Sequence, residues 1–358
     1  MNKQEGSPVS GPAAPTPEQI RIKALVRFAI SITVLNTLGH TILGFETSVW
    51  QLLATVATTY SCDLILQAVG DWSEGKRPAF LGNGINGFVL FLLPAHITGF
   101  AISMLLFAHD EIWPYVLAGA GAICSKAIFT VTVRGKSRHF LNPSNMGLVA
   151  SILIYLKIGL AAPYEFTEHL HGLWYVILPC FILFTGSLLN GKLTKRMPLI
   201  LAWVGTFIAQ ALIRHMIFDT WLPASLAPVT GVPFVIFTFY MVTDPATSPN
   251  STRGQVAFGM SVGAMYGLLM VLHQPFTLIF SLLIICVLRG GMLWLFERGF
   301  FAKLRAWLDN APSPVPAQPA PAPVPVPVPA LAPALVAPIQ PAAPTMQPVS
   351  VAAGGGAE

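Results

Sequence analysis

The chain has 358 residues, of which 54% are hydrophobic and only 10% are charged, and its formal net charge is +5. A soluble domain usually has about 25% charged residues, so this composition excludes a soluble globular enzyme, a nucleic-acid-binding module and a disordered regulator. Apolar runs of about 20 residues alternate with short charged clusters, as in helical proteins that cross a bilayer repeatedly. We therefore predict an all-α integral membrane protein.

The two ends of the chain differ in composition from its body. The first 20 residues are polar and rich in proline, and they lack the basic and then apolar pattern of a secretory signal. From Ala311 onward, frequent prolines remove the amide donors that a helix needs. We predict a disordered N-terminal tail at 1–20, a transmembrane domain at 21–310 and a Pro/Ala/Val-rich disordered tail at 311–358.

Ten apolar segments are predicted to be membrane spans. They cover residues 24–44, 48–69, 85–107, 112–131, 143–160, 173–190, 197–217, 222–242, 255–272 and 276–296. Proline interrupts the third segment at Pro94 and the eighth between Pro228 and Pro233. A helix broken at membrane depth must pair its freed backbone groups with protein or water. We expect one break in each of these two segments.

Basic residues precede the first segment and follow the even-numbered ones. The fifteen residues on this side are Arg21, Lys23, Arg27, Lys76, Arg77, Arg134, Lys136, Arg138, Lys192, Lys195, Arg196, Arg253, Arg298, Lys303 and Arg305. Loops rich in Lys and Arg stay in the cytoplasm. We therefore predict a multi-pass protein of the inner (cytoplasmic) membrane, with both termini cytoplasmic and the lipid bilayer as its partner. This pattern explains the net charge without nucleic acid.

The ionisable side chains of Asp63, Lys126 and Arg289 fall within the second, fourth and tenth predicted spans. Such groups are costly in a bilayer and usually face a bundle interior or a cavity. Asp63 can pair with either cation, which leaves one positive charge for an anionic ligand or for conduction. Alternatively, a buried ion pair only fixes the helix packing, or the cations extend to the interface.

The sequence does not predict a metal site or a stand-alone catalytic residue. The four cysteines lie in separate spans without a C-x-x-C pair, and the histidines are scattered over several loops. The chain also lacks a recognisable phosphate loop or pair of nucleophile and base.

Two motifs lie at the predicted cytoplasmic ends of spans. Asn142 and Pro143 begin the fifth span, where Asn caps a helix and Pro occupies its first turn. The sequence TDPATSP ends the eighth span and contains the polar residues Asp244, Thr247 and Ser248. These residues alone indicate cap and turn chemistry. Free amides at a helix N-terminus also favour phosphate, so the motifs suit a nucleotide or flavin phosphate.

These motifs resemble the NqrB/RnfD family, the membrane subunits of the sodium-translocating NADH:quinone reductase and of the Rnf ferredoxin:NAD oxidoreductase. Residues 141–147 resemble the family's Phe-Asn-Pro-Ala-x-x-Gly segment, and residues 241–249 resemble its Met-Ala-Thr-Asp-Pro-Val-Thr-Ser-Pro segment. Residues 195–199 resemble its Trp-Arg-Ile-Pro stretch less closely. The chain looks closest to a divergent branch that occurs in enediyne-type biosynthetic clusters.

The resemblance implies ten helices in two inverted five-helix repeats, similar to urea transporters. It implies an electron-transfer subunit that holds a flavin or quinone near Asn142, Pro143, Asp244, Thr247 and Ser248 and couples redox chemistry to transport. The implied partners are other redox-complex subunits or a redox partner in secondary-metabolite biosynthesis.

One family motif is missing from the loop between the fifth and sixth spans. Family members attach FMN there to the Thr of a Ser-Gly-Ala-Thr motif, whereas here Thr167 lies between Phe166 and Glu168. A carboxylate beside a phosphate is repulsive. We therefore expect no covalent flavin and a non-covalent FMN or riboflavin instead.

Two other functions fit the same sequence. A transporter or channel for a small solute or ion can use the same fold without redox activity, because broken helices and inverted repeats suit alternating access. A membrane anchor that assembles redox partners without binding a cofactor is the third possibility.

Overall fold

The computed structural model describes residues 16–82, 84–133, 135–161 and 169–300. Its helices are α1 (Pro17–Leu38), α2 (Val49–Ser73), α3 (Gly84–Leu105), α4 (Trp113–Ile128), α5 (Pro143–Ile154), α6 (Trp174–Leu188), α7 (Met197–Phe218), α8 (Leu222–Leu226), α9 (Val232–Ile236), α10 (Thr252–Val271) and α11 (Thr277–Glu297). Short π-helical turns extend α1, α6 and α9 over Gly39–Leu43, Leu189–Thr194 and Phe237–Met241, and a 3-10 turn, Ala227–Thr230, joins α8 to α9. Two antiparallel strand pairs complete the fold, β1 (Leu106–Phe107) with β4 (Gly159–Leu160) and β2 (Thr130–Val133) with β3 (Lys136–His139).

The helices confirm a multi-pass membrane protein but not the number of spans. In the described part of the chain, six helices are long and apolar enough to cross a bilayer, namely α1 with its π-turn, α2, α3, α7, α10 and α11. The bent pair α8–α9 makes a seventh span if it is counted as one. Helix α5 has 12 residues and covers about 18 Å, whereas a hydrocarbon core is about 30 Å thick. Ten spans and the inverted repeats stay predictions.

Of the two predicted helix breaks, the structure shows one. Helices α8 and α9 are bent by 61° at the 3-10 turn that contains Pro228, so the break in the eighth segment is confirmed. The break in the third segment is wrong, because α3 continues through Pro94. Proline removes one backbone hydrogen bond, but packing against neighbouring helices can keep a transmembrane helix continuous. Thr98 lies one turn after Pro94 in α3, and its hydroxyl donates to the Pro94 carbonyl at 2.8 Å.

The connecting loops meet at two ends of the bundle. At one end, the Gln51 amide at the start of α2 donates to the His109 carbonyl after α3, and β1 after α3 pairs with β4 after α5. At the other end, Arg196 before α7 donates to Asn250 before α10. Loops after odd-numbered predicted spans thus contact one another, as do loops after even-numbered spans. The cytoplasmic placement of the even-numbered loops stays a prediction.

Helices α7 and α10 pack closely through small residues. Gly259, Gly263 and Gly267 recur every four residues and form a stripe along α10. A methyl group at Gly259 would lie 2.6 Å from the Leu199 carbonyl oxygen of α7. Stripes of this kind let helix backbones approach in a membrane, where apolar side chains gain little by leaving lipid.

Exposed tryptophans mark the ends of several helices. Six of them lie at or near a helix terminus: Trp50, Trp72, Trp113, Trp174, Trp221 and Trp294. Tryptophan is enriched where a bilayer meets water, because its ring is apolar while its indole N–H needs a partner. Trp50 and Trp72, at opposite ends of α2, lie about 33 Å apart along the helix axis at 1.5 Å per residue. That separation matches the thickness of a bilayer core.

Candidate functional site

The loop after the eighth predicted span is organised around Asp244. One carboxylate oxygen of Asp244 accepts from the Ala246 amide at 3.0 Å, and the other accepts from the Thr247 hydroxyl at 3.1 Å. The Ser248 hydroxyl donates to the Asp244 carbonyl at 2.7 Å. Thr247 and Ser248 are buried, so their hydroxyl groups are paired within the loop. The Asp-Pro-x-Thr-Ser-Pro motif is therefore a turn whose polar side chains form hydrogen bonds within the turn itself. We call it the self-bonded loop.

The Asn-Pro motif lies against this loop. Asn142 caps α5 by accepting from the Asn145 amide at 3.0 Å, and Pro143 occupies the first turn, as predicted. The Asn142 side-chain amide also donates to the Met241 carbonyl at 3.3 Å and makes a long hydrogen bond of 3.5 Å to Asp244. The fold thus brings together two motifs that are 102 residues apart in the chain.

Two arginines from other segments of the chain donate hydrogen bonds to this loop. Arg289 of α11 donates to the Thr247 carbonyl at 2.7 Å. Arg196 is only 3% exposed and donates to the carbonyls of Pro245 and Pro249 and to the Asn250 side chain. The sequence analysis used Arg196 as a topology signal and as part of the weakest family resemblance, but it did not predict Arg196 as a site residue. Its place directly before α7, in the stretch 195–199 that resembles the family's Trp-Arg-Ile-Pro, was the one indication in the sequence of a further role.

A small cationic cavity lies beside the loop. It has a volume of about 70 Å³, and its polar lining comes from Arg138, His139, Ser248, Asn250 and Arg289. Pockets for drug-sized ligands are usually about 300–1,000 Å³, so this cavity has room for one small group such as a phosphate. Sequence reasoning did not single out Arg138 or His139 as site residues.

The cavity's positive charge comes from its two arginines. Burial lowers the pKa of His139, the Asp244 carboxylate acts in the opposite direction, and the Lys126 ammonium lowers the pKa further. His139 is therefore mainly neutral at pH 7, because its ordinary pKa is about 6.5. Asp244 does not line the cavity. The lining of the cavity thus favours an anion.

Of the two cations that Asp63 was predicted to pair with, the structure shows Lys126 as its partner. Lys126 of α4 forms an ion pair with Asp63 of α2 at 3.1 Å, and about a fifth of each side chain is exposed. Within the described residues, Arg289 forms no ion pair, so the predicted surplus positive charge lies at the loop. The packing and ligand roles of these three residues stay predictions.

We expect replacement of Arg196 with Met to loosen the loop. The variant loses three hydrogen bonds to residues 245–250, and hydrogen bonds to charged groups contribute about 1.5–3 kcal/mol each. Hydrogen exchange of the backbone amides in this loop should become faster. Arg253→Met is the control, because Arg253 is exposed at the start of α10. Unchanged exchange in Arg196→Met would show that the arginine does not hold the loop.

Some predicted features lie outside the described residues, namely Thr167 with most of its loop, the N-terminal tail up to residue 15 and everything after residue 300. The predicted disordered tail is wrong for residues 17–20, because α1 begins at Pro17 and Thr16 caps it. Comparison with known proteins gives no matching family model and no significantly similar curated protein. The function is therefore argued from the geometry of the site.

Proposed function

We propose that the chain is a membrane-embedded electron-transfer subunit that binds a non-covalent flavin at the cationic cavity. One observation carries this proposal: the Asn142 and Asp244 motifs contact each other next to the cavity that Arg138 and Arg289 line. These are the two segments with the closest resemblance to the NqrB/RnfD family. The proposed partners are other redox subunits or a biosynthetic redox partner.

The cavity suits the phosphate end of FMN. Guanidinium groups bind phosphate through charge-assisted hydrogen bonds, and Arg138 and Arg289 give the lining two positive charges. Arg289 uses one nitrogen to hold the loop, so the binding of an anion and the position of the loop are connected. The Ser248 and Asn250 side chains add further polar groups.

The size of the cavity limits what it holds. A volume of about 70 Å³ accommodates the phosphate and not the ring system, which therefore lies beyond the cavity. The flavin supplies the redox chemistry, while the protein binds it and tunes its potential. Riboflavin lacks the phosphate, so the site favours FMN of the two predicted flavins.

The test is the absorption spectrum of detergent-purified protein before and after acid precipitation. We expect a flavin band that acid releases into the supernatant. Arg138→Met should lower the flavin content severalfold, because Arg138 is exposed at the cavity and lies outside the self-bonded loop. The control is Arg298→Met, because Arg298 stacks over Trp294 at the end of α11 and is not among the residues that line the cavity.

Three results would count against the proposal. A colourless protein would show that no flavin is bound. Flavin retained in the pellet would show that it is attached covalently. Equal flavin content in Arg138→Met and Arg298→Met would place the cofactor elsewhere.

A transporter or channel is the second candidate, and the bend of 61° between α8 and α9 favours it. Broken helices expose backbone groups that bind substrates near the middle of a bilayer. The specific test is solute or ion flux into liposomes that contain the purified protein. Flux through colourless protein would favour this candidate over the electron-transfer subunit.

A further inference from the structure

A buried arginine without a counter-charge lies near the end of α7 that is opposite the self-bonded loop. Arg196, directly before α7, contacts that loop, whereas Arg214 lies four residues before the other end of the helix at Phe218. Arg214 is 8% exposed, and its Nε donates to the Gln210 side chain at 2.9 Å. Within the described residues, Arg214 forms no ion pair, and its Nη2 is buried without a hydrogen-bond partner. A buried cation in a membrane-crossing helix needs an anion, so this arginine suggests a binding site.

The start of α11 offers free backbone amides. Its cap residue, Phe276, has a left-handed backbone with φ of 54° and provides no side-chain hydrogen bond. The Phe276 carbonyl accepts from the amides of Ile279 and Phe280. In the part of the chain that the structure describes, the amides of Thr277 and Leu278 have no partner. Free amides at the start of a helix of 21 residues attract negative charge.

Tyr266 of α10 connects the arginine to this helix start. Its side chain interacts with the Thr277 side chain and with the positive charge of Arg214. Both Tyr266 and Thr277 are buried. We call Gln210, Arg214, Tyr266 and Thr277 the α7–α11 cluster. It combines an unpaired guanidinium group, two hydroxyl groups and a helix N-terminus, all of which can donate hydrogen bonds to one anion.

The end of α7 gives this cluster access to lipid. Ile217 and Phe218 lie one turn after Arg214 on the same face of the helix, and both are exposed. Trp221, an exposed tryptophan of the kind that marks the bilayer surface, follows closely. Arg214 lies about 6 Å below the end of α7 at 1.5 Å per residue, which is near the level of lipid headgroups. A phosphate at Arg214 therefore leaves its acyl chains beside Ile217 and Phe218.

We propose that the α7–α11 cluster binds the phosphate of an anionic phospholipid from the leaflet at this end of the bundle. Guanidinium groups bind phosphate through charge-assisted hydrogen bonds, and the free amides of α11 add to them. An anionic headgroup such as phosphatidylglycerol is favoured over phosphatidylcholine, whose own cation would lie beside the unpaired Arg214. The cluster is separate from the cationic cavity, so its ligand does not depend on the proposed flavin.

The test is native mass spectrometry of the detergent-purified protein with added phosphatidylglycerol, together with its thermal unfolding. We expect one tightly retained lipid and a higher melting temperature, because a ligand that binds only the folded protein stabilises it. Phosphatidylcholine at the same concentration should give a smaller shift. Soluble glycerol phosphate distinguishes a lipid from a free phosphate and should not compete. An equal shift with phosphatidylcholine, or full competition by glycerol phosphate, would overturn the proposal.

Replacement of Arg214 with Gln should weaken binding of phosphatidylglycerol at least about tenfold, the effect of one lost hydrogen bond to a charged group. The matched control is Lys157→Gln. It removes an exposed positive charge from the loop after α5, at the same end of the bundle, and should leave binding unchanged. Equal retention of the lipid by these two variants would exclude Arg214 from the site and overturn the proposal.

A second pair of variants tests the start of α11 and leaves Arg214 in place. Phe276→Asp puts a carboxylate at the helix N-terminus, where it competes with the phosphate, whereas Phe276→Asn adds a side chain of the same size without charge. Both new residues tolerate the left-handed backbone of this position. We expect Phe276→Asp to bind phosphatidylglycerol severalfold more weakly than Phe276→Asn. Equal binding by the two would show that the phosphate does not lie at the start of α11.

Discussion

Replacement of Gly259 with Ala should destabilise the protein by about 3 kcal/mol, at the upper end of the usual cost of overpacking. The new methyl group would lie 2.6 Å from the Leu199 carbonyl oxygen and 2.9 Å from the Trp203 amide nitrogen. Both atoms belong to the backbone of α7 and cannot move by a change of rotamer. Helices α7 and α10 must therefore separate, which also disturbs Gly263 and Gly267 in the same stripe.

The measurement is the unfolding free energy in mixed micelles with increasing denaturing detergent. Gly205→Ala is the matched control, because Gly205 lies in α7 and has open space where a methyl group would point. Alanine is a better helix former than glycine, so this control should be neutral or slightly stabilising. Equal stability of the two variants would show that α7 and α10 do not pack closely in the protein.

The second large effect concerns the ion pair between α2 and α4. Replacement of Lys126 with Met should cost about 3 kcal/mol of stability, because it leaves the Asp63 carboxylate without its cation in a low-dielectric environment. The loss should be seen in the same unfolding titration. The loop around Asp244 should keep its hydrogen exchange, because neither residue of the pair bonds to it.

The double variant Asp63→Leu with Lys126→Met separates a packing role from a ligand role. Replacing both members of a buried pair with apolar residues is often neutral, so the double variant should be more stable than Lys126→Met alone. A purely structural pair also predicts normal flavin content or flux per folded molecule in the double variant. A double variant that folds but loses that activity would assign the pair to the function.

The membrane fold, the helix start at Asn142 and the Asp244 turn could be predicted, because each depends on residues that are close together in the sequence. Hydropathy identifies a membrane-crossing helix from about 20 consecutive residues, and Asn142 before Pro143 predicts a helix start by itself. The Asp244 turn is also local, since its bonds join residues at most four positions apart. The contact between the two motifs agrees with their placement at the same end of the bundle.

The remaining features depend on packing between distant segments. His96 meets Thr33 across 63 positions of the chain, and no periodicity in either helix indicates that contact. Pro94 suggested a break, but the neighbouring helices keep α3 continuous. The loop that Arg196 holds lies about 50 residues later in the chain, so only the folded structure shows that contact. In the sequence alone, Arg196 indicates topology.

The two tryptophans of α2 have a consequence for the choice of membrane. Their separation sets the hydrophobic length of α2 at about 33 Å, and a helix longer than the local hydrocarbon thickness responds by tilting. Helix α2 contributes Tyr60 to an apolar pocket that it shares with residues 88–96 of α3, and it contributes Asp63, three residues later, to the ion pair. A tilt of α2 displaces both contacts at once, so the acyl-chain length of the surrounding lipids becomes a control on the geometry of the pocket.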